Sequence, residues 1–524
     1  MIDATNLYGG MGMNSEEKAL FKKDLTKFYE ITRKFYRREL SVAEYKGLSG
    51  IFGSYAQRGG TASMLRLRMT GGEISGEKLS FIADSIKKYH IRLAHLTTCQ
   101  TIQLHHLSES DVCALIDEAF DHDIITMGGG GDFPRNVMAS PLSGVQIDEA
   151  FDVMPYAKAA ADFLMPFIYR VKLPRKLKVC FSNSAQNLTH ATFRDLGFIA
   201  NADRTFDVYS AGGLGNNPKM GVCVAKGIAP EKILYYIKAM IDTFTAYGNY
   251  QVRGRARTRY MQDTLGTEGY KKAYLEKLEE VFKNESLDLH VTPKVISKTG
   301  TSKDFTHPRV TAQKQPGLYA VFYQPIGGNP DPLLLCRLAE VISSMPDVVI
   351  RLTPSQGMYF INCTKDEALR LIEMTGDSAK TLFETSVACI GNAICQVGAR
   401  DSQAMLKACI DAVRPENFAD GVLPQIHISG CPSSCSAHQI GAIAFRGGVK
   451  QTPEGPKPAF AMYAGGCETQ GHESFGRELG IVAADDIPKL LVELGRTIAV
   501  ENTTYDQWIK TNIRTLEAIA AKYI

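Results

Sequence analysis

The sequence has no run approaching the roughly 18 consecutive apolar residues expected of a membrane-spanning helix. Its start, Met1-Ile2-Asp3-Ala4, lacks the basic stretch followed by an apolar one that marks an export signal. A cytoplasmic location is therefore expected. Net charge is scarce too. The 59 Lys and Arg nearly balance the 56 Asp and Glu, leaving +3 over 524 residues, which offers no argument for nucleic acid. The glycine runs lack nucleotide signatures. Gly128-Gly129-Gly130-Gly131 has no Gly-Lys-Ser/Thr ending and reads as a flexible turn ahead of Arg135. Gly212-Gly213-Leu214-Gly215 is weak as a dinucleotide fingerprint. Without a flavin or pyridine-nucleotide module, electrons for any redox chemistry are expected from an external protein. The 12 cysteines are too sparse for a small disulfide scaffold. Eight of them (Cys99, Cys113, Cys180, Cys223, Cys336, Cys363, Cys409, Cys467) lack paired ligand spacing, and most read as inert core thiols.

The length exceeds one ordinary core, so several domains are expected. Residues 14–37 repeat apolar positions (Leu20, Phe21, Leu25, Phe28, Ile31, Phe35) at the spacing of an amphipathic helix. A strand over 62–70, a Gly71-Gly72 turn, a helix over 76–89, strands over 91–96 and 102–105 and a helix over 109–120 make a compact α+β pattern. The same order returns over 316–375. Further on, Leu173-Pro174-Arg175-Lys176-Leu177-Lys178-Val179-Cys180 and Tyr209-Ser210-Ala211-Gly212-Gly213 are echoed by Leu423-Pro424-Gln425-Ile426-His427-Ile428-Ser429 and Tyr463-Ala464-Gly465-Gly466. An internal duplication explains the echoes; shared strand chemistry without duplication is the other reading. The polar segment 253–311, with helical stretches over 267–283, reads as a connector between halves.

Four cysteines stand apart: Cys389-x5-Cys395 and Cys431-Pro432-Ser433-Ser434-Cys435. Four thiolates suit an iron–sulfur cluster, and Gly391 and Gly430 would permit tight backbone around it. Structural zinc and buried thiols without metal remain open, although zinc pairs more often have closer spacing.

Together these segments resemble the sirohaem-containing nitrite and sulfite reductase family. The cysteine pattern ending Gly430-Cys431-Pro432-Ser433-Ser434-Cys435-Ser436 carries the resemblance. So do Gln315-Pro316-Gly317-Leu318-Tyr319 and Leu173-Pro174-Arg175-Lys176-Leu177-Lys178. It implies an α+β, internally duplicated fold with ferredoxin-like halves and two α/β cofactor-binding domains. The expected divisions are a helical extension over 1–44, a first ferredoxin-like half over 45–122, and a first sirohaem and substrate domain with connector over 123–300. A second ferredoxin-like half over 301–378 and a cluster and sirohaem domain over 379–524 follow. The resemblance also implies a 4Fe-4S cluster on Cys389, Cys395, Cys431 and Cys435, with Cys435 bridging to the sirohaem iron. Ferredoxin is the implied donor. A monomer suffices, since the duplication supplies both halves.

The resemblance further singles out Arg66, Arg135, Lys176 and Lys178. It implies that the arginines clamp a small oxyanion, while the lysines donate protons or organise water. Gln103, His105, Arg257 and Arg259 match sirohaem-contacting segments. One departure stands out: position 99 is cysteine where the family usually has arginine. A missing cofactor or substrate contact is expected there, with Arg68 or Arg92 as candidates to compensate. His106 and His427 are not expected to be haem ligands. Lys176-Leu177-Lys178 is similar to the sulfite-reducing members, so six-electron reduction of sulfite to sulfide is the primary expectation. Nitrite reduction to ammonia is the close alternative, and a non-catalytic electron-transfer subunit is a lower one.

Overall fold

The computed structural model describes residues 15–301 and 304–524; Met1 to Ala4, read above for export, lie outside the described residues. The chain divides into two compact units. The first takes the described residues up to Gly213, Lys219–Tyr323 and Pro330–Gly376; the second takes Leu214–Pro218, Gln324–Asn329 and Asp377–Ile524.

Within the first unit, the helix Ser15–Tyr36 turns Phe21, Leu25, Phe28 and Phe35 inward, and Phe21 stacks on Phe120 with centroids 4.4 Å apart. Leu20, one step off that stripe, is exposed. Next comes an antiparallel sheet in the order Ser54–Ala56, Ser63–Arg68, Thr101–Leu107, Ala94–Leu96. Strand alternation sends Leu65 and Leu67 into the core, and Arg66 and Arg68 to the opposite face. A second sheet runs Val310–Ala312, Tyr319–Tyr323, Met358–Cys363, Val349–Leu352. Its outermost strand comes from the other half: Glu73–Ile74 pairs antiparallel with Arg351 and Ile350.

The two halves repeat at the level of single hydrogen bonds. Gln57 Oε1 accepts the His106 N–H at 2.7 Å, and Gln313 Oε1 accepts the Asn362 N–H at 2.7 Å. His106 and Asn362 both hold positive φ, 61° and 65°. The turns Thr70–Gly72 and Ile326–Gly328 each bend at a positive-φ glycine. Ser108 and Thr364 each close a capping box on the following helix.

The downstream parts repeat as well. The strands Met138–Ala139, Val179–Ser182 and Leu196–Ala200 run parallel, then Phe206–Ser210 and Val222–Ile228 continue antiparallel. In the second unit, Val387–Ala388, Ile426–Ser429 and Ile443–Thr452 run parallel, then Gly455–Ala464 and Arg477–Ala483 continue antiparallel. Asn187 and His190 in one copy and Ser434 and Ala437 in the other take the same left-handed turns. The fold is the duplicated α+β architecture expected.

The connector is shorter than its polarity suggests. Helix Thr267–Asn284 buries Tyr270, Tyr274, Leu278 and Val281 against Ile233–Tyr247, and the Tyr270 hydroxyl meets Ser210 Oγ at 2.7 Å. That stripe makes the helix part of the core; regular structure stops only after Asn284 and resumes at Val310.

Candidate active site

In the first unit, Arg66 and Arg135 meet on one loop. Arg66 Nη1 donates to the Gly129 carbonyl. Arg135 Nη1 donates to the same oxygen at 2.7 Å, and its Nη2 to Gly131 O at 2.9 Å. The glycine run is therefore not a loose turn but a cradle of carbonyls for two guanidinium groups. Glycine is required there because a Cβ on Gly130 would collide with Tyr55 Oη and Gly50 O. Tyr55 Oη in turn accepts the Gly131 N–H at 2.7 Å.

With its amide oxygen turned toward Arg66, Gln103 accepts from Arg66 Nη2 and, at 3.2 Å, from Nε, while its nitrogen donates to His105 Nε2 at 3.3 Å. Burial, His95, His106 and Arg66 push His105 well below its usual pKa, so the ring is neutral. Arg68 does not compensate at position 99. It donates to the carbonyls of Met127, Pro134 and Arg135 and fixes the Arg135 segment from beneath. Arg92 is exposed.

Lys176 and Lys178 flank Leu177, which bridges Pro134 two residues ahead of the regular strand beginning at Val179. Their alternation holds because the backbone is already extended there. Lys178 faces Cys99. Burial alone would raise the Cys99 thiol, but Lys178, Arg194 and Lys176 outweigh it and bring it down to about 6. Burial lowers Lys178 despite the opposing charge of Cys99. Arg194, a residue not singled out from the sequence, donates from Nε to Thr189 O at 3.0 Å and meets His190 Nδ1 at 3.1 Å.

Asp195 is a second residue unforeseen from the sequence. It is fully buried, accepts the Lys178 N–H at 2.9 Å, and pairs with Arg257 Nη2 at 2.9 and 3.0 Å. Thr258 Oγ1 also donates to it. Burial would raise its pKa, but Arg257, Thr258 and Lys178 hold it below the usual carboxylate range. The available signal was Arg194-Asp195 set directly before the apolar run Leu196-Gly197-Phe198-Ile199-Ala200. Arg259 lies near Gly213 and is 4% exposed, and burial lowers it to about 10. Asn136 ties the site together, donating from Nδ2 to Met69 O and Cys99 O.

The second unit carries the four cysteines. Cys389 Sγ receives the Gly430 N–H at 3.1 Å and lies 3.0 Å from Ser402 Oγ. Burial raises its thiol, while these hydrogen bonds pull the other way. His427 Nδ1 meets Ser436 O at 2.7 Å, just past Cys435, so this histidine braces the cysteine loop. Ser429 Oγ meets Ser436 Oγ at 2.6 Å. Among the described residues no three His, Cys, Asp or Glu side chains converge on one point as a single metal ion would need. A four-iron body spreads its ligands around a larger volume.

The residues fit the implied groups. Arg135 Nε and Arg257 Nε are buried with no hydrogen-bond partner among the described residues. Buried cations beside few acids call for an anionic partner, and the carboxylates of sirohaem are of that kind. Gln103, His105, Arg257 and Arg259 are the residues that would hold it. Four thiols on tight glycine-containing turns, one already receiving an N–H, are the donor set of an iron–sulfur cluster.

Sequence profiles for the nitrite and sulphite reductase 4Fe-4S domain and the nitrite/sulfite reductase ferredoxin-like half domain match residues 130–282 and 55–119. The chain is 24% identical to sulfite reductase (ferredoxin) 1 of Mycolicibacterium paratuberculosis, over 79% of this chain and 75% of that one. It is 26% identical to the chloroplastic ferredoxin–nitrite reductase of Arabidopsis thaliana, over 77% and 70%. The NirA protein of Mycobacterium tuberculosis shares the fold with a TM-score of 0.75 and 22% identity, over 95% of this chain and 96% of that one. The chain therefore carries the 4Fe-4S domain and the ferredoxin-like half domain of nitrite and sulfite reductases.

Proposed function

We propose that this enzyme reduces a small oxyanion with electrons from ferredoxin, and that its anion is nitrite, reduced by six electrons to ammonia. The observation carrying the choice is the Cys99 thiol beside Lys178, Arg194 and Lys176. A thiolate there cancels one of the positive charges facing the anion. Nitrite carries one negative charge, sulfite up to two, so the loss weighs more against sulfite. Reduction of sulfite to sulfide is the second reading, supported by the pair Lys176 and Lys178.

When bound, sirohaem and the cluster supply the iron that takes the anion and the electrons that reduce it. The chain's own residues do the rest. Arg66 and Arg135, held on the glycine cradle, orient the anion through N–H groups not spent on Gly129 and Gly131. Lys178 Nζ, weakened in its hold on a proton by burial, donates as oxygen leaves as water. Lys176 supplies a second proton source. Asp195 fixes the Lys178 backbone and holds the Arg257 guanidinium in place.

Anaerobic steady-state turnover of the cofactor-loaded protein on nitrite and sulfite, with reduced ferredoxin, tests this. A kcat/KM advantage for nitrite, reduced in Cys99→Ser, is expected. A sulfite advantage in the native protein rejects the substrate while retaining the chemistry. No turnover on either anion at full cofactor occupancy points to an accessory electron-transfer subunit.

A further inference from the structure

A cavity of about 420 Å³ lies in the first unit, and none of the candidate active-site residues lines it. It is bounded by Arg351 and Val349 of one strand, Met154 and Lys158 of the helix Met154–Leu164, and Leu289 and Ile296 of the connector. Volumes of this order accept small organic ligands.

Its polar end is unusual. The Arg351 side chain is 9% exposed, and only one of its three nitrogens is paired: Nη2 meets Glu73 Oε2 at 2.7 Å. Nε and Nη1 are buried with no partner among the described residues. Glu73 does not satisfy them; its other oxygen accepts Lys158 Nζ at 2.7 Å. Two cations thus share one carboxylate, and Lys294 on the rim adds a third positive charge. Asp152, also in the wall, is turned to Ser143 Oγ and the Met154 N–H, both at 3.0 Å. Asp162 is a further acid of the lining. Buried N–H groups without acceptors are costly, and an incoming anionic oxygen relieves that cost. The remaining wall mixes His290, Thr292 and Asn362 with the aliphatic side chains of Val145, Leu289, Val291 and Ile296, so a bare inorganic anion would leave its apolar part unfilled.

We propose that this cavity binds a small organic carboxylate, its carboxylate on Arg351 and its apolar body against Met154, Leu289 and Ile296. The inference uses no part of the reductase reading and stands or falls separately from it.

Isothermal titration of the cofactor-loaded full chain with hexanoate and with benzoate provides the test, with hexanol and benzyl alcohol as uncharged matches and inorganic phosphate as a bare anion. Saturable binding of at least one carboxylate is expected, at least tenfold tighter than its alcohol. It should be lost in Arg351→Gln and in Ile296→Trp, which fills the cavity from the connector without touching the Glu73 pair. Nitrite turnover of Ile296→Trp should equal that of the native protein. Unchanged carboxylate binding in the Ile296→Trp variant, no saturable binding of either carboxylate, or equally tight binding of phosphate would each overturn the assignment.

Discussion

Cys99 lies among Lys178, Arg194 and Lys176, whose charges outweigh its burial. A thiol with a folded pKa of about 6, below its ordinary 9.0, contributes stability that is complete above the ordinary value. That contribution is lost as pH falls toward 6. Cys99→Ser should therefore flatten the rise in unfolding free energy between pH 6 and 9, read by urea denaturation of the cofactor-free protein across that range. Alkylation of Cys99 should show a midpoint near 6 that moves upward in Lys178→Met. Asp195 supports a second expectation. Asp195→Asn leaves Arg257 buried without its counter-charge and should cost about 3–5 kcal/mol in the same experiment. The basic residues Arg66, Arg135, Lys176 and Lys178 were singled out through short motifs, which are local. Arg194 and Asp195 were not, because their importance comes from strands packed side by side, which no spacing along the chain records. Cys99 was visible as a departure, but its partners were misjudged: Arg68 looked available until its guanidinium was found spent on three carbonyls.

Among the elements, the strands and helices of both ferredoxin-like halves were readable from periodicity, because each buries one face and spaces its apolar residues accordingly. One loop was misread, and one helix, rightly placed over 267–283, was taken for connector instead of core, both for one reason. The Gly128–Gly131 loop and the helix Thr267–Asn284 do their work through surfaces that hydropathy does not report. The loop offers carbonyl oxygens; the helix hides a stripe of tyrosines within a polar sequence. Gly130→Ala should push the loop off Tyr55 and slacken both arginines. Its nitrite KM is expected to rise at least tenfold, with sirohaem absorbance retained. Capping gives a quieter prediction. Thr364→Ala removes one hydrogen bond of the box at the start of Lys365–Met374 and should cost about 1 kcal/mol by denaturant unfolding, with turnover unchanged.

The whole molecule is a duplication whose copies have divided their labour. Gly212 and Gly466 occupy equivalent places: a Cβ would come within 2.7 Å of the Phe193 backbone in one and 2.5 Å of the Ile440 backbone in the other. Alanine at either position should destabilise the protein by a similar amount, about 1–3 kcal/mol, although only one copy holds the two cysteine pairs. A neutral result at one site and a large loss at the other, by thermal unfolding, would argue that the copies no longer share a packing plan. The strand Glu73–Ile74 has a consequence of another kind. Its partner, Val349–Leu352, emerges from the ribosome on the order of tens of seconds later at ordinary translation speeds. Through that interval the leading half carries an open β edge with nothing to pair with. The nascent protein therefore depends on a chaperone, or on the charge of Glu73, to keep that edge from pairing with a neighbouring polysome chain.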